Sequence, residues 1–276
     1  MLACTDLAAI AAQMKVAQHA GHQIPPFSLR YEGFNIESAY AVADELHRAR
    51  LRAGQVSVGR KIGFTNPDMW PLFNVDAPVW AYVYESTVVQ LVQPQQGHPT
   101  CSLGAFFEPK IEPEIIFHFK EAPPAGADAE AILRCVDWIS HGFEIVQSHF
   151  PGWQFKAADT IADLALHATL LVGKRVRVDE LGSNPAEQLA QFSIELSCNA
   201  ACREIGRGFN VLGSPLLALA HLTRVLASQP DSLPIQAGEI VTTGTITKAY
   251  AIQVGDIWTT TVAGISLPGL SIEFTR

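Results

Sequence analysis

The most apolar strand-like segments lie in the second half of the chain, and acidic residues interrupt them. Residues 106–119 read FFEPKIEPEIIFHF, and residues 141–150 read HGFEIVQSHF. Both are rich in β-branched and aromatic residues, which suit a pleated, half-buried surface. The interrupting acids are Glu112 and Glu114 in the first segment and Glu144 in the second. Because side chains two positions apart share one face of a strand, Glu112 and Glu114 are expected to stand side by side.

Other segments are predicted to be helices or shorter strands. The first helix covers residues 5–20. The second lies within residues 30–54, where Asn35 can cap the N-terminus and Gly54 can end the helix. Two further helices and two shorter strands are expected, in that order, at residues 128–140, 214–228, 56–64 and 80–92. The mixture predicts an α+β fold with a strand-rich core.

The composition is typical of a compact globular protein. Of the 276 residues, 48% are hydrophobic and 17% are charged, so the chain can bury a substantial core. The formal net charge is −8, and no run of lysine and arginine occurs. Phosphate binding needs clustered basic residues, so the charge argues against a nucleic-acid surface. A small anionic substrate is compatible with this charge where a cation or metal neutralises it locally.

The apolar runs and the N-terminus favour a cytoplasmic protein without a membrane span. Runs such as LLALA at residues 216–220 are far shorter than the roughly 20 residues that cross a bilayer. The first residues lack a basic segment, and Asp6 interrupts their apolar stretch, so no secretory signal is expected. Five scattered cysteines, an odd number, indicate reduced thiols.

The three acids on apolar strands require compensation if they are buried. Uncompensated burial of neighbouring carboxylates costs several kcal/mol. Lysine or arginine partners, a shared proton or a divalent metal can each supply it. Three carboxylates from two strands form an oxygen-rich site suited to Mg²⁺ or Mn²⁺. The alternative is that Glu112, Glu114 and Glu144 face solvent, which Pro113 favours because proline prefers edge strands.

Six segments together resemble a known family. In chain order they are RKIGFTNPDMWPLFNVDAPVW, IEPEIIF, FEIVQS, WQFKAADTIAD, VLGSPLLALAHL and VTTGTITKAYAIQVGDIW. They are similar to successive motifs of the 2-keto-4-pentenoate hydratase and 4-oxalocrotonate decarboxylase branch of the fumarylacetoacetate hydrolase superfamily. The resemblance runs from about Phe34 to Phe274, nearly the whole chain.

The resemblance implies a fold and a metal centre. The implied fold is α+β, with a smaller N-terminal helical and mixed region, residues 1–78. A catalytic β-roll or barrel domain of the fumarylacetoacetate hydrolase type follows at residues 79–276. The implied ligands of Mg²⁺ or Mn²⁺ are Glu112, Glu114 and Glu144. The family also implies a homo-oligomer.

Further site residues are implied at lysine, aspartate and threonine positions. Lys61, in GRKIGFT, is expected to orient a substrate carboxylate or to pass protons, with a surface lysine as the alternative. Thr243 and Thr245, in TTGT, are expected to contact the substrate carboxylate, with a plain turn as the alternative. Asp76 and Asp159 are candidate catalytic acids, although aspartate beside a loop is more often a cap.

The chain departs from the family pattern around the expected reacting carbons. An acid commonly found after the proline of the first motif is replaced by Val79, and the DTxADNAS pattern has Leu164 and Leu166 instead of Asn and Ser. The DSR pattern after the strand glutamate reads Gln-Ser-His, ending at His149. His149 and His167 are therefore candidate replacement proton-transfer groups. These changes leave the metal ligands intact but put water addition in doubt.

The function predicted from these features is a metal-dependent lyase. Its substrate is a small 2-hydroxydienoic or 2-oxo acid from aromatic-ring breakdown, and its chemistry proceeds through a metal-stabilised enolate. A hydratase is the favoured reading. A decarboxylase of the 4-oxalocrotonate type and a carbon–carbon hydrolase use the same arrangement and remain alternatives. The most different alternative is a non-catalytic homologue that binds a metabolite.

Overall fold

The structure is a computed structural model that describes residues 2–73, 75–229 and 232–276. Its helices are α1 (Cys4–Ala20), α2 (Phe27–Arg30), α3 (Ile36–Arg52), α4 (Trp70–Phe73), α5 (Ala129–Cys135), α6 (Ala157–Ala162), α7 (Pro185–Gln191) and α8 (Pro215–Ser228). Its strands are β1 (Ser57–Gly63), β2 (Val79–Tyr84), β3 (Val88–Gln90), β4 (Thr100–Ser102), β5 (Lys110–Phe119), β6 (Val136–Val146), β7 (His167–Val172), β8 (Val176–Arg177), β9 (Ser193–Cys198), β10 (Ala201–Arg207), β11 (Ile240–Thr242), β12 (Tyr250–Ala251), β13 (Ile257–Ala263) and β14 (Ser271–Thr275). The expected α+β class is confirmed.

Within the described ranges, nine strands form one mixed sheet. Its hydrogen-bonded order is β2-β1-β11-β5-β6-β7-β3, with β12 paired to β5 and β8 paired to β6. The two longest strands, β5 and β6, run antiparallel in its centre. β1 pairs in parallel with β11, although the two are far apart in sequence. The sheet therefore brings residues from the beginning, the middle and the end of the chain onto one surface.

A second sheet packs against the first. Its order over the described strands is β10-β9-β13-β14-β4. A buried cluster joins the two sheets, with Phe143 and Ile145 from β6, Trp258 from β13 and Phe274 from β14. Burial of large side chains from both layers makes this the strand-rich core that the sequence predicts.

The N-terminal helices pack against the large sheet. Asn35 caps α3 by accepting a hydrogen bond from the amide of Ser38, as expected. Residues of α1 and α3 share a buried cluster with Tyr84 of β2 and with Phe150. β1 is an interior strand of the large sheet although it lies within residues 1–78. That region therefore supplies both covering helices and part of the sheet.

One predicted helix is wrong in its second half. The sequence predicts a helix over residues 128–140, but α5 ends at Cys135 and β6 begins at Val136. Asp128 caps the start of α5 as a helix requires. Beyond it the chain pairs with β5, from Val136 opposite Phe119 onward. Pairing with a long buried strand outweighs the local helix propensity here.

Helix α8 is an apolar helix of the protein core. The stretch Gly208–Ser228 is long and apolar enough to cross a membrane, but more than half of its most apolar part is buried within the fold. Leu219 and Leu222 pack in the main cluster with Phe117 of β5. Packing against the sheet thus explains the hydrophobicity of α8, and the helix predicted at residues 214–228 is confirmed.

Candidate metal centre and active-site cavity

Glu112, Glu114 and Glu144 converge at the centre of the large sheet. In the antiparallel pair of β5 and β6, Glu112 lies opposite Glu144, and Glu114 lies two residues further along β5. One carboxylate oxygen from each residue lies within 4.8 Å of one from each of the others. Glu114 and Glu144 are fully buried, whereas Glu112 is partly exposed. The alternating faces of two paired strands are sufficient to bring the three acids together.

Lys61 reaches the same centre from β1. Its Nζ lies 2.8 Å from Oε2 of Glu144, and both side chains are buried. In the sheet order, β11 and β5 separate β1 from β6. The contact excludes the surface-lysine alternative. It places one positive charge among three carboxylates.

The TTGT turn binds Glu114 from the other side. Oε2 of Glu114 accepts hydrogen bonds from the hydroxyl of Thr242 and from the amide of Gly244, the latter at 2.9 Å. Gly244 has φ of +95°, and a Cβ added there would lie 1.9 Å from Oγ1 of Thr65. Only glycine fits this turn. The anion that the turn receives in this structure is therefore a protein carboxylate.

His167 holds the remaining oxygen of Glu144. Its Nδ1 lies 2.6 Å from Oε1 of Glu144, and its Nε2 lies 2.8 Å from Oγ1 of Thr87. His167 begins β7 directly beside β6. His149, the other candidate histidine, instead places Nδ1 2.8 Å from Oδ1 of Asp163. The structure thus brings His167 to the metal centre, whereas His149 pairs with another acid.

Burial and the neighbouring charges shift the pKa values of these groups. The pKa values of Glu112, Glu114 and Lys61 are raised, and that of Glu144 is lowered. Loss of hydration raises the pKa of Glu112 to about 7, against the opposing charge of Lys61. Burial, together with the charges of the other two glutamates, raises the pKa of Glu114 well above its usual range. Burial disfavours ionised Glu144 as well, but Lys61 and His167 outweigh that effect and lower its pKa to about 2. Burial likewise opposes the charge on Lys61, yet the three carboxylates raise its pKa overall.

The chemistry of the donors fits a hard divalent cation. The centre offers carboxylate oxygens from two rigid strands, which Mg²⁺ and Mn²⁺ prefer. Oε1 of Glu114 is buried and has no hydrogen-bond partner among the described residues. A buried unpaired carboxylate oxygen is costly, so it needs a cation or a proton. The charges lead to the same requirement. Three carboxylates outnumber the single positive charge of Lys61, so the centre needs a further cation or protons.

A cavity opens directly beside this centre. Its polar lining includes Lys61, Glu112 and Thr245. The described residues that complete the lining are mostly apolar; they are Gly63, Phe64, Thr65, Asn66, Met69, Val146, Trp153, Ala165, Leu166, Gly244 and Ala249. A small molecule with one polar end fits such a lining, because the polar end can face the carboxylates while the remainder contacts apolar side chains.

The two predicted aspartates, Asp76 and Asp159, lie outside the cavity lining. The carboxylate of Asp159 accepts hydrogen bonds from the amide of Lys156 at the start of α6 and from the amide and hydroxyl of Ser28. These are the contacts of a cap that also ties down the N-terminal segment. Asp76 is exposed in the loop before β2. Neither aspartate is among the described residues that line the cavity.

The two predicted threonines differ in position. Thr245 lines the cavity, and its hydroxyl donates to the carbonyl of Thr247. Thr243 is fully buried, and both its amide and its hydroxyl donate to the carbonyl of Ile115. Thr242, which the sequence did not single out, is the threonine that contacts Glu114. Which hydroxyl faces the acid depends on pairing between β11 and β5, and no local sequence signal reveals it.

A left-handed turn forms one wall of the cavity. Leu164, Ala165 and Leu166 have φ of 53°, 49° and 67°, although none is glycine. Such conformations are uncommon for branched side chains and persist only where the surrounding structure holds them. Leu164 and Leu166 are two of the positions at which the chain departs from the family pattern. The turn places Ala165 and Leu166 in the lining of the cavity.

The chain is similar to characterised proteins along almost its whole length. A 2-hydroxyhexa-2,4-dienoate hydratase from Comamonas testosteroni is 27% identical over 262 residues, covering 94% of each chain. A 4-oxalocrotonate decarboxylase from Pseudomonas putida is 27% identical over 259 residues, covering 93% of each. The solved 4-oxalocrotonate decarboxylase from Pseudomonas putida G7, complexed with magnesium and adipate, superposes with a TM-score of 0.88 at 24% identity and covers 99% of both chains. No protein-family model matches the chain. The two sequence relatives confirm the resemblance that the six motifs predict, and the superposition confirms the fold.

Proposed function

Since the chain is similar along almost its whole length to members of the 2-keto-4-pentenoate hydratase and 4-oxalocrotonate decarboxylase branch of the fumarylacetoacetate hydrolase superfamily, we propose that it is a divalent-metal-dependent lyase. Its substrate is a small 2-hydroxydienoic or 2-oxo acid of aromatic catabolism, and hydration is the favoured reaction. The observation that carries the proposal is the convergence of Glu112, Glu114 and Glu144 beside a cavity that Lys61 also lines.

The three glutamates are the residues that would hold the metal. A divalent cation held there supplies positive charge for the carboxylate of the acid and for its enolate. Glu114 is fixed by the TTGT turn and Glu144 by Lys61 and His167, so two of the three ligands are positioned by hydrogen bonds. Such pre-organisation lowers the cost of bringing the acids together.

Lys61 carries the proton chemistry in this proposal. Burial lowers the pKa of Lys61, but the neighbouring carboxylates outweigh it and raise this pKa overall, which favours the protonated form of Nζ. The ammonium can hold a substrate carboxylate and can give a proton to the carbon skeleton. Thr245 lines the same cavity and offers a hydroxyl to the acid. Asp76 and Asp159 remain candidate catalytic residues from the family resemblance alone.

The first experiment tests metal binding. Calorimetric titration with Mg²⁺ and Mn²⁺ is expected to give binding to the unaltered protein and none to the variant Glu112→Ala, Glu114→Ala. A matched control replaces two exposed helical acids, Glu37→Ala and Glu130→Ala. Equal binding by both double variants and the unaltered protein would contradict the metal centre.

A second experiment separates the reactions. A decarboxylase is the second candidate because a relative of that name is 27% identical along 93% of the chain. The protein is incubated with 2-hydroxypenta-2,4-dienoate and with 4-oxalocrotonate, and absorbance loss and carbon dioxide release are followed. Hydratase activity removes the diene absorbance of the first compound without gas release. Release of carbon dioxide from the second compound identifies a decarboxylase, and turnover of neither favours a hydrolase or a non-catalytic homologue.

The proposal also includes a cytoplasmic location and assembly into a homo-oligomer. All five cysteines lie in the described part of the chain, and none of them forms a disulfide there, which supports a reducing cytoplasm. The family resemblance supports a homo-oligomer. Light scattering after size exclusion measures the mass of the particle, and a mass equal to the 29.9 kDa chain would contradict self-association.

A further inference from the structure

Lys110 stands on the same face of β5 as the metal-centre acids. It precedes Glu112 by two positions, so the two side chains project to one side of the strand. Its Nζ lies 3.7 Å from the ring centre of Trp153. Trp153 lines the cavity, whereas Lys110 does not. Trp153 therefore contacts this ammonium and also lines the cavity in which the proposed substrate would lie.

Trp153 is held firmly in that position. Its Nε1 donates to the carbonyl of Glu108 at 3.1 Å, and the amide of the preceding Gly152 donates to Oε1 of Glu108 at 3.0 Å. Trp153 and Glu108 have φ of 57° and 47°, which is the left-handed region. Backbone in this region costs about 1–2 kcal/mol for a residue with a side chain. Such strain is retained where the surrounding contacts enforce it, often at functional sites.

The remaining lining offers little to a second negative charge. Among the described residues around the cavity, Lys61 is the one with a positive charge, and it is paired with Glu144. The other charged lining residue, Glu112, is an acid. A carboxylate at the far end of a substrate would therefore meet apolar side chains without a cation, which is costly. An ammonium shielded by an aromatic ring is available only if the ring moves.

We propose that Trp153 determines specificity by covering the ammonium of Lys110, so that the cavity accepts 2-oxo and 2-hydroxydienoic acids with an uncharged far end and discriminates against diacids. This inference rests on the proposed function, because it assumes that the oxo-acid end of the ligand lies at the three glutamates. It assigns Lys110 as a latent cation for a second carboxylate.

The test uses two stable ligands that differ at one end only. 2-Oxohexanoate and 2-oxoadipate share the oxo-acid end, and the second carries a terminal carboxylate in place of a methyl group. Their dissociation constants are measured by calorimetry in Mg²⁺, so the readout does not depend on turnover. The unaltered protein is expected to bind 2-oxohexanoate about tenfold more tightly than 2-oxoadipate.

The variants separate the roles of the two residues. Trp153→Ala is expected to shift the ratio of the two dissociation constants about tenfold toward the diacid, because a charge-assisted contact with Lys110 becomes available. Adding Lys110→Met to that variant is expected to remove the shift. Trp153→Gly serves as a second variant, since glycine adopts the left-handed backbone without strain, and thermal unfolding verifies that each protein folds. The matched control is Trp138→Ala, which deletes another tryptophan–cation pair, with Arg175, outside the cavity lining.

The outcomes distinguish the inference from the function on which it rests. A ratio that stays unchanged in both Trp153 variants, or that favours the diacid in the unaltered protein, overturns the role of Trp153 and leaves the proposed function standing. A shift that survives Lys110→Met overturns the assignment of Lys110. If the unaltered protein binds neither oxo acid in Mg²⁺, the proposed function fails and the inference fails with it.

Discussion

Nζ of Lys61 lies 2.8 Å from Oε2 of Glu144, although two strands separate β1 from β6 in the sheet. Neighbouring strands are about 4.8 Å apart, so three steps across a flat sheet span roughly 14 Å. Side chains stand nearly perpendicular to a flat sheet, so the two residues meet because the sheet curves toward this face. The curvature creates the enclosed space in which three acids and one lysine are buried together.

Replacement of Lys61 by methionine separates metal binding from catalysis. Lys61→Met is expected to lower turnover by about a hundredfold or more, because the proton-carrying ammonium is lost. It is expected to retain or strengthen Mg²⁺ binding, because a positive charge no longer repels the dication. Without metal, the free energy of unfolding is expected to fall by about 3 kcal/mol, since Glu144 loses its buried partner.

Steady-state kinetics, Mg²⁺ calorimetry and thermal unfolding with and without Mg²⁺ measure these three quantities. Lys120→Met, on the surface after β5, is the matched control for loss of a lysine. Loss of metal binding together with turnover would show instead that Lys61 is needed to assemble the metal centre.

We expect His167 to support metal binding indirectly, by positioning the carboxylate of Glu144. His167→Phe removes the hydrogen bond at 2.6 Å that fixes Oε1 of this ligand. Partners of metal ligands typically contribute about ten- to a hundredfold in metal affinity, and we expect a loss of Mg²⁺ affinity in this range. His118→Phe is the control, because it breaks a histidine–carboxylate pair with Asp137 away from the cavity lining. Equal Mg²⁺ affinity of both variants and the unaltered protein would contradict the role.

Asp159 provides a test between a cap and a catalytic acid. Its carboxylate satisfies the amide of Lys156 and ties Ser28 to the start of α6, and it is completely buried. We expect Asp159→Ala to reduce the free energy of unfolding by about 1–3 kcal/mol while the folded fraction keeps its turnover. Urea unfolding and kinetics corrected for the folded fraction measure the two effects. Loss of turnover at unchanged stability would support the catalytic prediction.

The sequence predicts the metal centre better than its surroundings. Alternation along β5 is a local rule, so the common face of Glu112 and Glu114 could be predicted without the fold. That Glu144 joins them depends on the pairing of β5 with β6, and the sequence indicates it only through the family resemblance. The role of His167 could not be predicted, because β7 joins β6 across an irregularity in register near Val146. The left-handed turn ending at Leu166 also gives no sequence signal, since leucine is a poor residue for that backbone.

Among the helices and strands, too, those set by local sequence are predicted better than those set by contacts between distant parts of the chain. Helices with clear caps, such as the one begun by Asn35, are local, and the sequence predicts them correctly. The sequence predicts helix for the segment after Cys135 because its local composition tolerates one. The segment is a strand because β5 offers a long pairing edge. Parallel pairing of β1 with β11, which places Lys61 beside Thr242, depends on contacts between distant parts of the chain.

His47 makes the stability of the N-terminal helices sensitive to acid. The imidazole stacks on Tyr82 with ring centres 3.7 Å apart, and Nδ1 lies 2.9 Å from the hydroxyl of Tyr84. Partial burial, reinforced by nearby arginine charges, lowers the pKa of His47 from its ordinary value of 6.5 to about 4. The arginines that contribute are Arg60, Arg48 and Arg50.

The sign of the effect follows from proton binding in the two states. Between pH 6.5 and about 4 the unfolded chain binds a proton at His47 and the folded protein does not, so stability falls as the pH falls through this window. Above pH 6.5 the imidazole is neutral in both states, and the contribution is fully present. His47→Phe retains an aromatic ring for stacking on Tyr82 and removes the titration. In urea unfolding, the variant is therefore expected to gain stability relative to the unaltered protein as the pH is lowered from 7 to 4.5. His19→Phe, at an exposed position of α1, controls for loss of a histidine. If the His47 variant differs in stability from the unaltered protein by the same amount at both pH values, His47 is not the acid-sensitive group.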